Sequence, residues 1–311
     1  MTAPPPAPGA AADPAPDPTV PLHQDASRAR RDHPLALGVL GGIFGIAIAL
    51  TMLRSPQGIV VSADPGYAPT ALPLLLVPAA LTILLTLLLP AGRGGSAVTV
   101  RRRHRATGES AGLIALVVGF ALLAPVLPRP EDAVLLKFTM FLLLPVLVLV
   151  MVGRRRGPSV HIARPLVAPW VMLVPALALG VLSAVGPFSS GMPSSWPPLA
   201  VLIVAATATA ITAGIGEEVL VRRLLQTRVE ALVGPWTGIL ATSLLFGLMH
   251  LLSHGEGPLW ASAAQVIALQ GTTGIALGVI WNRWRRLWPC VLAHLLLNGL
   301  AVLLHLVGLP G

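Results

Sequence analysis

Apolar residues run through this chain in blocks of seventeen or more, and the breaks between blocks are rich in arginine or in proline and glycine. A block of that length can cross a hydrocarbon core about 30 Å thick as a helix. Backbone groups in lipid must bond internally, which restricts a spanning chain to helices or a closed barrel. Barrel strands need period-2 alternation, and stretches such as Leu81 to Leu89 are apolar on every face instead. The pattern therefore predicts an all-α, polytopic transmembrane helical bundle. Its spans fall near 35–53, 69–90, 111–127, 133–152, 166–188, 201–230, 236–252, 261–281 and 287–308.

Residues 1 to 33, rich in proline, alanine and aspartate, lack the apolar content to bury a core and are expected to form a disordered cytoplasmic tail. The first block is too long for a signal-peptide core and no cleavage site follows it, which predicts an uncleaved span. Residues 34–165 then form N-terminal helices with no assigned role, and 166–311 a C-terminal transmembrane core. Arginines cluster in the tail, at 93–105, at 154–156, at 222–228 and at 283–286, on alternate connections. The positive-inside rule places those connections, and the N-terminus, in the cytoplasm.

Composition narrows the picture. Of 311 residues, 55% are hydrophobic and 11% charged, where soluble domains carry about a quarter charged residues. The net charge of +9 is almost wholly arginine, because Lys137 is the only lysine. With aromatics at 5%, there is no basic face interleaved with stacking rings, so nucleic acid is not an expected partner. The lipid bilayer is. A single cysteine, Cys290, excludes an intramolecular disulfide and a cysteine-built metal site. Arginine and alanine usage points to a GC-rich bacterial source, hence to a bacterial cell membrane.

After Asp132 the chain has no aspartate and four glutamates, two of which, Glu217 and Glu218, sit side by side in an apolar helix. Ionisable groups inside a bilayer cost at least ~2.5 kcal/mol each on insertion scales, so such a pair marks a functional site by default. Glu218 stands four residues before Arg222, the spacing of a structural ion pair. Glu217 points about 100° away on an α-helix and needs another partner. The next span offers Phe246 and His250 at i and i+4. If the chain reverses at Gly234-Pro235, Glu217 and His250 lie seventeen and sixteen residues from the turn and come level. The last span adds His294 and Asn298, again at i and i+4. A carboxylate beside an imidazole can deprotonate water, and a second imidazole with an amide can hydrogen-bond a developing oxyanion, a set suited to peptide-bond hydrolysis.

Glu217-Glu218-x-x-x-Arg222, Phe246-x-x-x-His250 and His294-x-x-x-Asn298, in this order on successive apolar helices, resemble the motifs of the CPBP (Abi) family of intramembrane endopeptidases, relatives of the eukaryotic CAAX prenyl endopeptidase. The resemblance covers about 200 to 300. Gly271, Gly274 and Gly278 resemble the family's small-residue helix, where close packing is expected. The resemblance implies that Glu217 and His250 activate the attacking water, that His294 and Asn298 stabilise the oxyanion, and that Glu218, Arg222 and Phe246 support the site.

The substrate class it implies is a peptide or a membrane-associated protein, unprenylated if the source is bacterial. No cofactor is expected; the metal alternative is a zinc ion held by Glu217, His250 and His294. Two other classes fit the same residues: a non-catalytic immunity or scaffold protein of the same fold, and a proton-coupled transporter, which would show internal repeats that this chain lacks. His254, four residues after His250, reads as an interfacial histidine beside Glu256. His104, His161 and His305 have no assigned partner.

Overall fold

In a computed structural model of the chain, residues 31–61, 66–254 and 257–309 are described. Most of the expected tail, Gly255 and Glu256 lie outside them, as do the side chains of Ser253 and His254. Among the described residues nine apolar helical segments follow one another. They are α1 (Pro34–Arg54), α2 (Leu72–Leu88), α3 (Arg103–Val126), α4 (Glu131–Arg156), α5 (Pro169–Ala184), α6 (Leu199–Val233), α7 (Pro235–Leu248), α8 (Leu259–Trp284) and α9 (Leu287–Leu306). Six are long and apolar enough to cross a membrane, whereas α2, α5 and α7 have 17, 16 and 14 residues. The protein is an all-α polytopic membrane protein, with three of the nine expected spans shorter than the apolar blocks suggest. Proline at the first or second position opens α1, α2, α5 and α7, where a missing N–H costs nothing.

The bundle is built around α6, α7, α8 and α9. Helix α9 packs on α5 and α6, α8 on α2 and α7, and α1 crosses α7 and α8. Helices α3 and α4 lie over α6. Small residues set these distances, as expected of the α8 glycines. A Cβ on Gly274 would meet the Phe246 ring and Ser243 at 3.2 Å, and one on Gly247 of α7 would meet the backbone of α8 at 2.9 Å. Gly214 of α6 lies flush against Leu295 of α9 in the same way.

The described residues depart from a regular α-helical bundle in several places. Ala210–Gln226 within α6 is wound as a π-helix, wider than the α-helix the spacing predicts. Shorter π turns occur at Thr139–Leu143 and Ile267–Gly271. A four-residue antiparallel ribbon pairs β1 (Ala97–Val100) with β2 (Val160–Ala163), joining two of the Arg-rich connections. Finally, the last residues of the expected tail are ordered. Asp32 Oδ1 accepts a hydrogen bond from Thr237 N–H at 2.8 Å, capping α7, and sits so close to Gly234 (φ 103°) that a side chain there would collide with it.

Polar bonds fasten this same end of the bundle. Buried Glu230 binds Arg285 Nη1 at 2.5 Å, Gln226 at 2.6 Å and Asn282 at 3.1 Å, and Arg285 Nε donates to Ser96 at 3.0 Å. Glu109 accepts from Arg105, Ser159 and Arg228 at 2.8, 2.5 and 2.6 Å. Connections that are separated in sequence but share arginines therefore meet at one end.

Candidate active site

The π-helical stretch of α6 carries Glu217, Glu218 and Arg222, all fully or almost fully buried. Despite the wider winding, Arg222 Nε donates to Glu218 Oε2 at 3.2 Å, the pair the sequence spacing suggests. Both terminal nitrogens of Arg222 lack hydrogen-bond acceptors among the described residues. The guanidinium instead lies 4.9 Å from the centroid of the Phe246 ring, where the negative face of the ring compensates part of its desolvated charge.

Glu218 does more than hold Arg222. Its other oxygen, Oε1, lies 2.9 Å from His294 Nδ1, so one carboxylate joins a guanidinium on its own helix to an imidazole on α9. That contact fixes the ring and directs Nε2 of His294 toward Glu217, whose Oε2 is 4.0 Å away, facing but beyond hydrogen-bonding distance. Phe246 stands between the two histidines, 5.2 Å from the His250 ring and 6.2 Å from that of His294. His250 Nδ1 lies 2.8 Å from its own helix at Phe246 O, and the ring is an electrostatic neighbour of Glu217. The α6–α7 reversal thus brings Glu217 and His250 near each other.

Six of the seven residues singled out from the sequence converge on this cluster. Asn298 sits apart: one helical turn beyond His294, it is exposed and lines a small cleft of about 20 Å³ between α6 and α9. His294 lines the same cleft, together with Ala206, Ala210 and Gly214. Small side chains on α6 leave this opening, and it leads from the bundle surface to the imidazole.

Sequence reasoning missed one member. Lys137, on α4, forms an ion pair with Glu217 Oε1. Its ammonium also lies 5.6 Å from the Phe120 ring centroid and 6.0 Å from that of Phe141. The signal was present: a lone lysine inside an apolar block is as costly as a lone glutamate, and the same rule that selects Glu217 selects it. Of the remaining histidines, His305 stacks on Trp196 with ring centroids 4.3 Å apart, far along α9 from the cluster.

Among the described residues no three His, Cys, Asp or Glu side chains group closely enough to hold a metal ion. The Lys137 ammonium also stands at the carboxylate oxygen that a divalent cation would take.

The family described as "Rce1-like: Type II CAAX prenyl endopeptidase Rce1-like" matches residues 197–300. No curated protein and no solved structure matches the chain. The matched segment runs from the start of α6 into α9 and carries every residue of the cluster except Lys137. Between residues 197 and 300, therefore, this integral membrane protein is similar to the type II CAAX prenyl endopeptidases of the Rce1-like family.

Proposed function

We propose that the protein is an endopeptidase that hydrolyses a peptide bond in a peptide or membrane-associated protein, with Glu217 as the general base. The observation that carries this reading is the convergence of Glu217, His250 and His294 beside a cleft that Asn298 also lines. In this reading Glu217, aided by His250, takes a proton from water as its oxygen attacks the scissile carbonyl carbon. His294, held at Nδ1 by Glu218, and the Asn298 amide hydrogen-bond the oxyanion. Collapse of the tetrahedral species breaks the C–N bond and passes the proton from Glu217 to the departing amine, leaving a carboxylic acid and an amine.

Glu218 and Arg222 serve this chemistry by holding His294 in place. The Arg-rich end of the bundle is the cytoplasmic one in this reading, as the positive-inside rule requires.

Cleavage of a quenched fluorogenic peptide library by purified protein in detergent tests the proposal. Wild type should cleave, Glu217→Gln and His250→Ala should not, and a chelator should leave the rate unchanged. Activity surviving in Glu217→Gln would overturn the assignment of the base. A rate lost in chelator and restored by zinc would make Glu217, His250 and His294 metal ligands.

A further inference from the structure

Glu217 is almost wholly buried, and a buried carboxylate is tolerated only with a compensating charge and with its lone pairs engaged. Arg222, the nearest cation in sequence, is committed to Glu218 and to the face of Phe246. The charge that balances Glu217 comes from a different helix, α4, in the form of Lys137. This lysine lies outside residues 197–300, so the site is completed by the N-terminal part of the chain.

The geometry is selective. Lys137 engages Oε1 and leaves Oε2 facing His294 Nε2 at 4.0 Å. A carboxylate free to rotate would present either oxygen to the site; one anchored at Oε1 presents the same oxygen each time. The ammonium is itself held, lying near the rings of Phe120 on α3 and Phe141 on α4. Its side chain keeps 18% exposure against 1% for Glu217, so the pair sits at the edge of the cluster with the carboxylate inward.

We infer that Lys137 is a positioning residue for Glu217, anchoring one carboxylate oxygen so that the other is aimed at the reacting water. The inference rests on Glu217 acting as the general base. Removing an anchor of this kind, with the reacting group still present, should lower turnover by about 10–100-fold. It should leave KM unchanged, because Lys137 does not face the cleft.

The test uses the full chain in detergent with a cleavable fluorogenic peptide and compares Lys137→Met, Lys137→Arg and Lys137→Cys with wild type. Lys137→Met is expected to lose kcat without a change in KM, and Lys137→Arg to recover most of it. Treating Lys137→Cys with bromoethylamine forms a C–S bond with loss of bromide and rebuilds a lysine-length ammonium, which should restore turnover. Wild type treated alike controls for Cys290, which is buried.

A folded Lys137→Met enzyme with wild-type kcat would overturn the inference. So would an aminoethylated Lys137→Cys protein that stays inactive while keeping the wild-type thermal midpoint. If Lys137→Met does not fold, the Arg and aminoethylated Cys variants decide alone. Glu217→Gln separates the two readings: if it stays active, the base assignment fails, whereas an inactive Glu217→Gln beside a fully active Lys137→Met sinks only the role of the lysine.

Discussion

Glu218 Oε1 and His294 Nδ1 lie 2.9 Å apart in the buried centre of the bundle, joining the helix that begins the family segment to the one that ends it. This contact links two motifs separated by 76 residues and makes the second glutamate of the pair an orienting group for an imidazole, in addition to a partner for Arg222.

Replacing that carboxylate by an amide is therefore expected to affect both neighbours. Glu218→Gln leaves Arg222 buried without its counter-charge, and breaking a buried pair on one side costs about 3–5 kcal/mol. It also replaces the charged acceptor that fixes His294 with a neutral amide. Both a lower thermal midpoint in detergent and a fall in kcat are expected; a variant with unchanged stability would show that Arg222 is satisfied by another route.

Asn298 should behave in the opposite way. It is exposed on the cleft, so Asn298→Ala should leave the thermal midpoint where it is. As an oxyanion donor its loss is expected to lower kcat by about 10²–10³-fold with little change in KM. Steady-state kinetics on the fluorogenic peptide measures both, and an unchanged kcat would remove Asn298 from the mechanism.

Phe246 is buried against Arg222 and both histidines. Phe246→Ala should cost about 3–5 kcal/mol through the cavity alone. Phe246→Leu should restore most of that stability by refilling the space while leaving the Arg222 guanidinium without an aromatic face. A leucine variant as active and stable as wild type would show that the ring contributes bulk only.

The α7–α8 seam allows no added atoms. In Gly247→Ala the new methyl would meet the carbonyl of Val266 at 2.9 Å and the backbone of Gly271 at 3.1 Å. Backbone cannot swing aside as a side chain can, so a loss of about 1–3 kcal/mol is expected, read as a fall in thermal midpoint. Gly299, whose surroundings are open, gives the control: Gly299→Ala should be tolerated.

Much of the architecture was legible because lipid imposes simple rules. Each apolar block corresponds to a helix, and the equal distances of Glu217 and His250 from Gly234 are matched by a hairpin that brings the two groups near each other. The ribbon of β1 and β2 was not legible, since four residues carry too little periodicity to stand out. Nor was the π winding around Glu217, because an apolar helix has no polar face whose drift would reveal a wider turn. Lys137 is legible as a lone charge in an apolar block, but its pairing is not: the partner is 80 positions away on a helix related to it only by tertiary packing, and no local spacing encodes that meeting.

The contact between Glu218 and His294 has one more implication. Among the described residues, the polar links between α6 and α9 are those that His294 makes with the two glutamates; elsewhere the helices meet through apolar surface and the glycine at 214. The stitch that closes this seam is thus the same contact that aligns the imidazole. Any parting of α6 from α9 wide enough to break this contact also releases the imidazole, so the seam and the alignment of the ring hold or fail together.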